Sequence, residues 1–196
     1  MAKLDLNIIN PTKGDDVMDN WYLMCYQHRV WRRLLTRLDE YKVQYCCPMQ
    51  REARLRTDKI NSVRNIEYPL FPGYIFLRFN PEVIHTSKML QIPGASYFVR
   101  FGNELRPIPH DVVTELVNCS DHVKYTYEMP KSVKALLNDM DSFEVRCFVK
   151  KLKSDAELLP IDQRGSYFVE SLDKYLITLL NKAFTHSKKE FAREIN

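Results

Sequence analysis

The 196-residue chain has no apolar run approaching the ~20 residues that a bilayer-spanning helix requires. Its first twenty residues carry Asp15, Asp16 and Asp19 where a secretory leader needs an apolar stretch, so a cytoplasmic protein with no membrane partner is expected. Cysteines are few and odd in number. Cys25, Cys46, Cys47, Cys119 and Cys147 show no CxxC or other metal-ligand spacing, which argues against a disulfide scaffold and leaves buried thiols as the reading. The five histidines are scattered singly, and no acids are grouped with a nucleophile and its base. Neither a zinc set nor a catalytic constellation stands out, so the chain is not expected to be an enzyme or to carry a cofactor or metal.

Hydrophobic residues make up 45% and charged residues 28%, the balance of a folded globular protein rather than a disordered or collagen-like one. The net charge of +4 is unevenly spread. Between His28 and Asn65 there are ten Lys or Arg against four acids, whereas the remainder has 19 against 21. Such a basic segment suits nucleic acid through counterion release, and it equally suits a solvated helix face and hairpin.

Trp21-Tyr22-Leu23-Met24-Cys25-Tyr26 reads as a core strand. Trp31, Leu34, Leu35, Leu38 and Tyr41 then recur at helical spacing, with Arg29, Arg32, Arg33 and Arg37 largely elsewhere around the cylinder. Val43 to Met49 is expected to be a second strand and Gln50 to Asn65 a loop or exposed hairpin. Pro72-Gly73 breaks the chain before the strand Tyr74 to Phe79, Pro81 to Leu90 suits a short helix, Ser96 to Phe101 is a further strand, and Pro109 opens a helix through Val117. This order predicts an α+β, ferredoxin-like sandwich over residues 20–118 with helices on one face. Residues 1–19 are then an N-terminal extension, 119–130 a polar linker, and 131–196 a small second domain.

The second domain supports two readings. Val133, Leu136, Leu137 and Met140 fall at helical spacing, as do Leu172, Leu176, Leu179, Leu180 and Phe184, which together predict a helical hairpin. Yet Phe143, Val145, Cys147 and Val149 alternate strictly, and Ser166 to Val169 and Tyr175 to Thr178 are strand-like, which predicts a small β barrel.

Asn20-Trp21-Tyr22, Pro69-Leu70-Phe71-Pro72-Gly73-Tyr74-Ile75-Phe76 and Gly94-Ala95-Ser96-Tyr97-Phe98-Val99-Arg100-Phe101-Gly102 together resemble the N-terminal domain of the NusG/Spt family of transcription elongation factors. Phe79-Asn80-Pro81-Glu82-Val83-Ile84-His85-Thr86 narrows the resemblance to the RfaH-like antiterminator branch, which includes plasmid-borne ActX-type paralogues. The resemblance implies an apolar pocket on the sheet that grips the clamp helices of the β′ subunit of bacterial RNA polymerase, with Tyr74, Phe76 and Phe101 in the matching positions. It implies a contact of His85, Thr86 and Ser87 with the β-subunit gate loop, although Lys88 replaces the last Thr of that motif.

It further implies binding of the displaced non-template single-stranded DNA by the first helix. Arg33 is retained there and Arg29, Arg32 and Arg37 can add contacts, while Gln27, Glu40 and Ile92-Pro93 depart from the branch's pattern and predict a changed sequence preference. Ser142-Phe143-Glu144 and Leu176 to Lys182 resemble the branch's C-terminal domain, with Val145 where a KOW motif expects glycine. That domain is expected to pack as a hairpin with Leu176, Leu179, Leu180 and Phe184 over Tyr74, Phe76 and Phe101, and to become a KOW-like barrel on release, when it could recruit a ribosomal small-subunit protein or a termination factor. A monomer is expected. The alternative is a free-standing nucleic-acid-binding regulator that uses the basic segment without touching polymerase.

Overall fold

The computed structural model describes residues 19–58, 62–120, 122–125 and 140–194, with side chains described at 19–58, 62–120 and 143–185. Its strands are β1 (Asn20–Tyr26), β2 (Gln44–Leu55), β3 (Val63–Pro69), β4 (Tyr74–Phe79), β5 (Ala95–Phe98) and β6 (His122–Tyr125). Its α-helices are α1 (Trp31–Glu40), α2 (Thr86–Met89), α3 (His110–Cys119), α4 (Met140–Leu158) and α5 (Ile161–Glu194). The antiparallel sheet runs β3-β2-β4-β1-β5, and β6 also pairs with β2.

Register decides which residues meet. Leu23 lies opposite Phe76 and Cys25 opposite Tyr74. Because side chains alternate along a strand, Trp21 and Leu23 of β1 share one face with Tyr74 and Phe76 of β4, while Tyr22, Met24 and Tyr26 share the other with Ile75, Leu77 and Phe79. Both faces are therefore apolar, and both are covered by helices, not one as the element order predicts. On one face α1 packs through Leu34, Leu35 and Leu38, joined by Met89 of α2. On the other lie α3, through Val112, Val113 and Leu116, and the pair α4 and α5.

Local chemistry sets the element ends. After α1, Lys42 adopts a left-handed φ of 55°, and the amides of Lys42 and Val43 donate to the carbonyls of Asp39 and Leu38, a Schellman closure. Gly73, at φ 90°, makes the turn that launches β4, and its carbonyl accepts the Tyr26 amide at 2.8 Å. Gly94, at φ 101°, brings the chain so close to the start of α1 that a Cβ would lie 2.9 Å from a methyl carbon of Val30, the residue before the helix, and 3.6 Å from Leu34 Cβ.

Several elements differ from the expected ones. The segment Gln50 to Asn65 is a β2–β3 ribbon, the hairpin option. The short helix starts at Thr86 rather than Pro81, because the Asn80 side chain accepts the Glu82 amide and the Asn80 carbonyl accepts Val83 and Ile84, closing turns first. β6 occupies part of the expected linker, pairing Cys46 with Tyr125 and Met49 with His122. The strand-like segments Phe143 to Val149, Ser166 to Val169 and Tyr175 to Thr178 are all helical, so the barrel is not the fold adopted here. The expected helical positions Val133, Leu136 and Leu137 lie outside the described residues, as do residues 126–139 of the linker and second domain.

Trp21 anchors α3 to β1. Its carbonyl accepts the Ile108 amide at 2.7 Å, and its indole Nε1 donates to Nδ1 of His110 at 3.0 Å. That bond needs an unprotonated Nδ1. Burial, with the nearby Arg78 charge, holds the His110 pKa below its usual value of 6.5, against a smaller opposing effect of Asp111. The folded state thus binds fewer protons at His110 than the unfolded state, so its stability contribution is complete above 6.5 and lost as pH falls through the lowered value. The urea midpoint of the wild-type chain is expected to drop between pH 7.5 and 5.5 more steeply than that of His110→Asn, which keeps a neutral acceptor; parallel profiles would remove this role.

Candidate functional site

The face of the sheet that carries α3 presents a cluster of aromatic side chains. Phe71 comes from the turn before β4, Tyr74 and Phe76 from β4, and Phe101 from the loop after β5, where its amide donates to Glu104. Into this cluster α5 inserts Phe168. The ring stacks on Phe71 with centroids 4.1 Å apart and 14° between planes, meets Phe76 edge-on at 5.8 Å, and lies 6.3 Å from Tyr74. Such geometries are the favoured ones for aromatic pairs and add to the gain from area alone.

The rest of the cover follows helical spacing. Val145, Val149, Leu152 and Ala156 of α4 and Phe168, Leu172 and Leu176 of α5 are all buried in the same cluster as Phe76 and Phe101. Each large side chain removed from water contributes roughly 1.5–3 kcal/mol, so the apolar contacts dominate the docking. Phe148 stacks on Tyr175 at 4.1 Å, and Tyr167 donates to Asp155 at 2.7 Å, holding the two helices together.

Among the described residues, Lys153 and Arg164 make polar contacts that fasten the pair to the sheet domain. Lys153 Nζ donates to the Cys119 carbonyl at 2.7 Å, placing a cation at the C-terminal end of α3 where the helix dipole favours it. Arg164, only 7% exposed, donates from Nη1 to Gln50 Oε1 of β2, and from Nε and Nη2 to the carbonyls of Leu159 and Glu157.

The structure thus brings Tyr74, Phe76 and Phe101 together, Tyr74 half-buried and the other two buried. Among the residues expected to cover them, Leu176 is in the cluster and Leu179 lies partly buried against it. Leu180 and Phe184 do not belong to the cover, being 39% and 67% exposed. The reason is rotational. Steps of four residues overshoot a helical turn by about 40° each, so from Phe168 the series through Leu172 and Leu176 has drifted ~120° by Leu180 and further by Phe184. Leu179, eleven residues on, returns to within ~20° of Phe168.

His85, Thr86 and Ser87 begin α2 on the opposite face of the sheet. Nδ1 of His85 accepts the Ser87 amide at 3.2 Å and lies 2.8 Å from its hydroxyl, and His85 and Ser87 are exposed. Arg29, Arg32, Arg33 and Arg37 are exposed on and just before α1, also on that face. The Arg32 guanidinium lies 4.8 Å from the Trp31 ring centroid, and Arg37 pairs with Glu40 at 2.6 Å. In the β2–β3 hairpin three of the cations pair with acidic neighbours, Arg51 with Glu67, Arg54 with Glu52 and Arg56 with Asp58. Exposed pairs of this kind contribute little stability, but they offset much of the ribbon's positive charge.

Sequence reasoning missed Phe71, Phe168, Gly165, Arg164 and Gln50. Phe168 was legible only as the start of the Phe168, Leu172, Leu176 series. Removing its ring in Phe168→Ala deletes contacts to three aromatics and takes on the order of 3–5 kcal/mol from the docking. Binding of an environment-sensitive apolar dye is expected to rise above wild type; unchanged binding would contradict the assignment of Phe168 as the central cover.

Among the described residues no helix is long and apolar enough to cross a membrane, and no group of His, Cys, Asp or Glu is placed to hold a metal. The family model described as transcription termination factor nusG matches residues 19–117, which take in β1 through nearly all of α3 and both aromatic and basic faces. The match spans just over half of the 196 residues, and the chain belongs to the NusG family of transcription factors.

Proposed function

We propose that this chain is an RfaH-like, operon-specific elongation and antitermination factor held in an autoinhibited state. The observation that carries the reading is that Tyr74, Phe76 and Phe101, the positions matched to clamp-helix contacts, form one aromatic face with Phe168 of the chain's own hairpin seated on it. A face rich in aromatics is suited to anchoring another protein, since such rings bury large area at low entropic cost. Membership of the NusG family, whose model is described as a transcription termination factor, supports a role in transcription, and binding of RNA polymerase without catalysis is part of this reading.

In this reading the β′ clamp helices replace α4 and α5 on the aromatic face. His85, Thr86 and Ser87 reach the β gate loop from the other side of the sheet, and bridging the two subunits favours the closed clamp, because a ligand shifts a population toward the conformer that it binds better. Pausing and termination then fall. Arg29, Arg32, Arg33 and Arg37 contact the splayed non-template strand through phosphates and stacking, with Arg32 and Trp31 already forming a cation–aromatic pair. The released hairpin could recruit a ribosomal small-subunit protein. No step requires a bond to be made or broken.

The test is a titration of isolated clamp helices against the full chain, Phe168→Ala, and Phe168→Ala combined with Tyr74→Ala. Loosening the cover is expected to tighten binding by about tenfold or more, the equivalent of ~1.4 kcal/mol, and the second substitution to abolish the gain. Equal affinities in all three would refute competition for this face. Tight, salt-sensitive binding to duplex DNA without polymerase would favour the free-standing regulator instead.

A further inference from the structure

α5 contains one glycine, Gly165, in its second turn. Glycine is a poor helix former, so its place inside a helix calls for a steric reason. Gly165 is buried, and a Cβ built on it would lie 2.8 Å from the Pro72 carbonyl oxygen, 2.8 Å from Tyr74 Cε2 and 3.2 Å from Tyr74 Cδ2. The helix backbone thus rests directly on the Pro72 to Tyr74 turn. That turn cannot simply retreat: its Gly73 carbonyl is held by the Tyr26 amide at 2.8 Å, and Tyr74 is locked into β4 opposite Cys25. On either side of the glycine, Arg164 reaches Gln50 and Phe168 stacks on Phe71.

We propose that Gly165 is the notch that admits the hairpin to the aromatic face, so that a helix can lie at this depth only where it has no side chain opposite Tyr74. The ring that the glycine backbone covers is Tyr74, itself a candidate polymerase contact, so the notch sets how completely the resident hairpin excludes a competitor. This deepens the autoinhibited reading and rests on it. Its distinctive feature is the sign of one substitution. Gly165→Ala raises intrinsic helix propensity, and a helix free of steric constraint would become more stable; the added methyl here forces the helix off the Pro72 carbonyl and the Tyr74 ring.

The test is amide hydrogen exchange of the full-length chain, comparing wild type, Gly165→Ala and Ser166→Ala. Ser166 is the exposed neighbour whose replacement also raises helix propensity without meeting the sheet. Gly165→Ala is expected to speed exchange in α4 and α5 by about tenfold or more, with α1 on the opposite face unchanged and Ser166→Ala no faster than wild type. Unchanged or slower exchange in the hairpin of Gly165→Ala overturns the proposal. Equal acceleration of α1 and the hairpin overturns it too, since Gly165 would then serve the whole fold and not the docking. The measurement involves no polymerase. If the hairpin loosens but clamp-helix affinity does not rise, the notch stands and the polymerase assignment falls.

Discussion

A sheet with apolar side chains on both faces must bury both, and the N-terminal domain supplies enough helix of its own for only one of them. α1 and α2 close the side of Tyr22, Met24, Ile75 and Leu77. On the other side α3 shields part of a surface that includes Phe71, Phe76 and Phe101, and the remainder is closed by α4 and α5 with Phe168 at the centre. Nearly everything else about the molecule follows from that division of labour. The domain closes its second face with a segment of the same chain, and in the proposed reading a segment of another protein takes that place.

The polar contacts at this junction are suited to an association that can be undone. Burying a charge is costly unless hydrogen bonds replace its water. The Arg164 guanidinium bonds to three neutral oxygens, those of Gln50, Leu159 and Glu157, two of them within the hairpin itself. Lys153 on the Cys119 carbonyl is likewise a bond to a neutral acceptor. Among the described residues these bonds to neutral oxygens accompany a large apolar cover, so the docking draws most of its strength from apolar area, and in the proposed reading an occupant with a better-matched apolar surface competes for the same face. The basic helix lies on the reverse face, so the DNA contact proposed for it would leave this junction undisturbed.

The N-terminal domain was legible because its signals agree: the aromatic run of β1, the 3.6-residue stripe of α1 and the Pro72-Gly73 break before β4 each appear where expected. Its departures are local. Asn80 turns delay α2, and β6, whose His122-Val123-Lys124-Tyr125 alternates polar and apolar, is too short to stand out in a segment otherwise read as a polar linker and pairs with Cys46 to Met49 of β2. The hairpin was harder to read, since Val145 and Val149 satisfy both a two-residue and a four-residue spacing, and Tyr167-Phe168-Val169 looks like a strand in isolation. Burial against the sheet breaks the tie, and that is a long-range fact. The same holds for Gly165, whose reason lies at Pro72 and Tyr74, and for Leu180 and Phe184, which fit the helical period yet rotate away from the face that the period was meant to serve.

The central claim is that one aromatic face has two mutually exclusive occupants. It is tested most directly by following amide exchange of the full chain while isolated clamp helices are titrated in. As the helices bind, protection of α4 and α5 should fall while that of β4 is retained, because the cover leaves and the face stays filled. Saturating binding with α4 and α5 as protected as before would mean that the two occupants use different surfaces, and the account would be wrong.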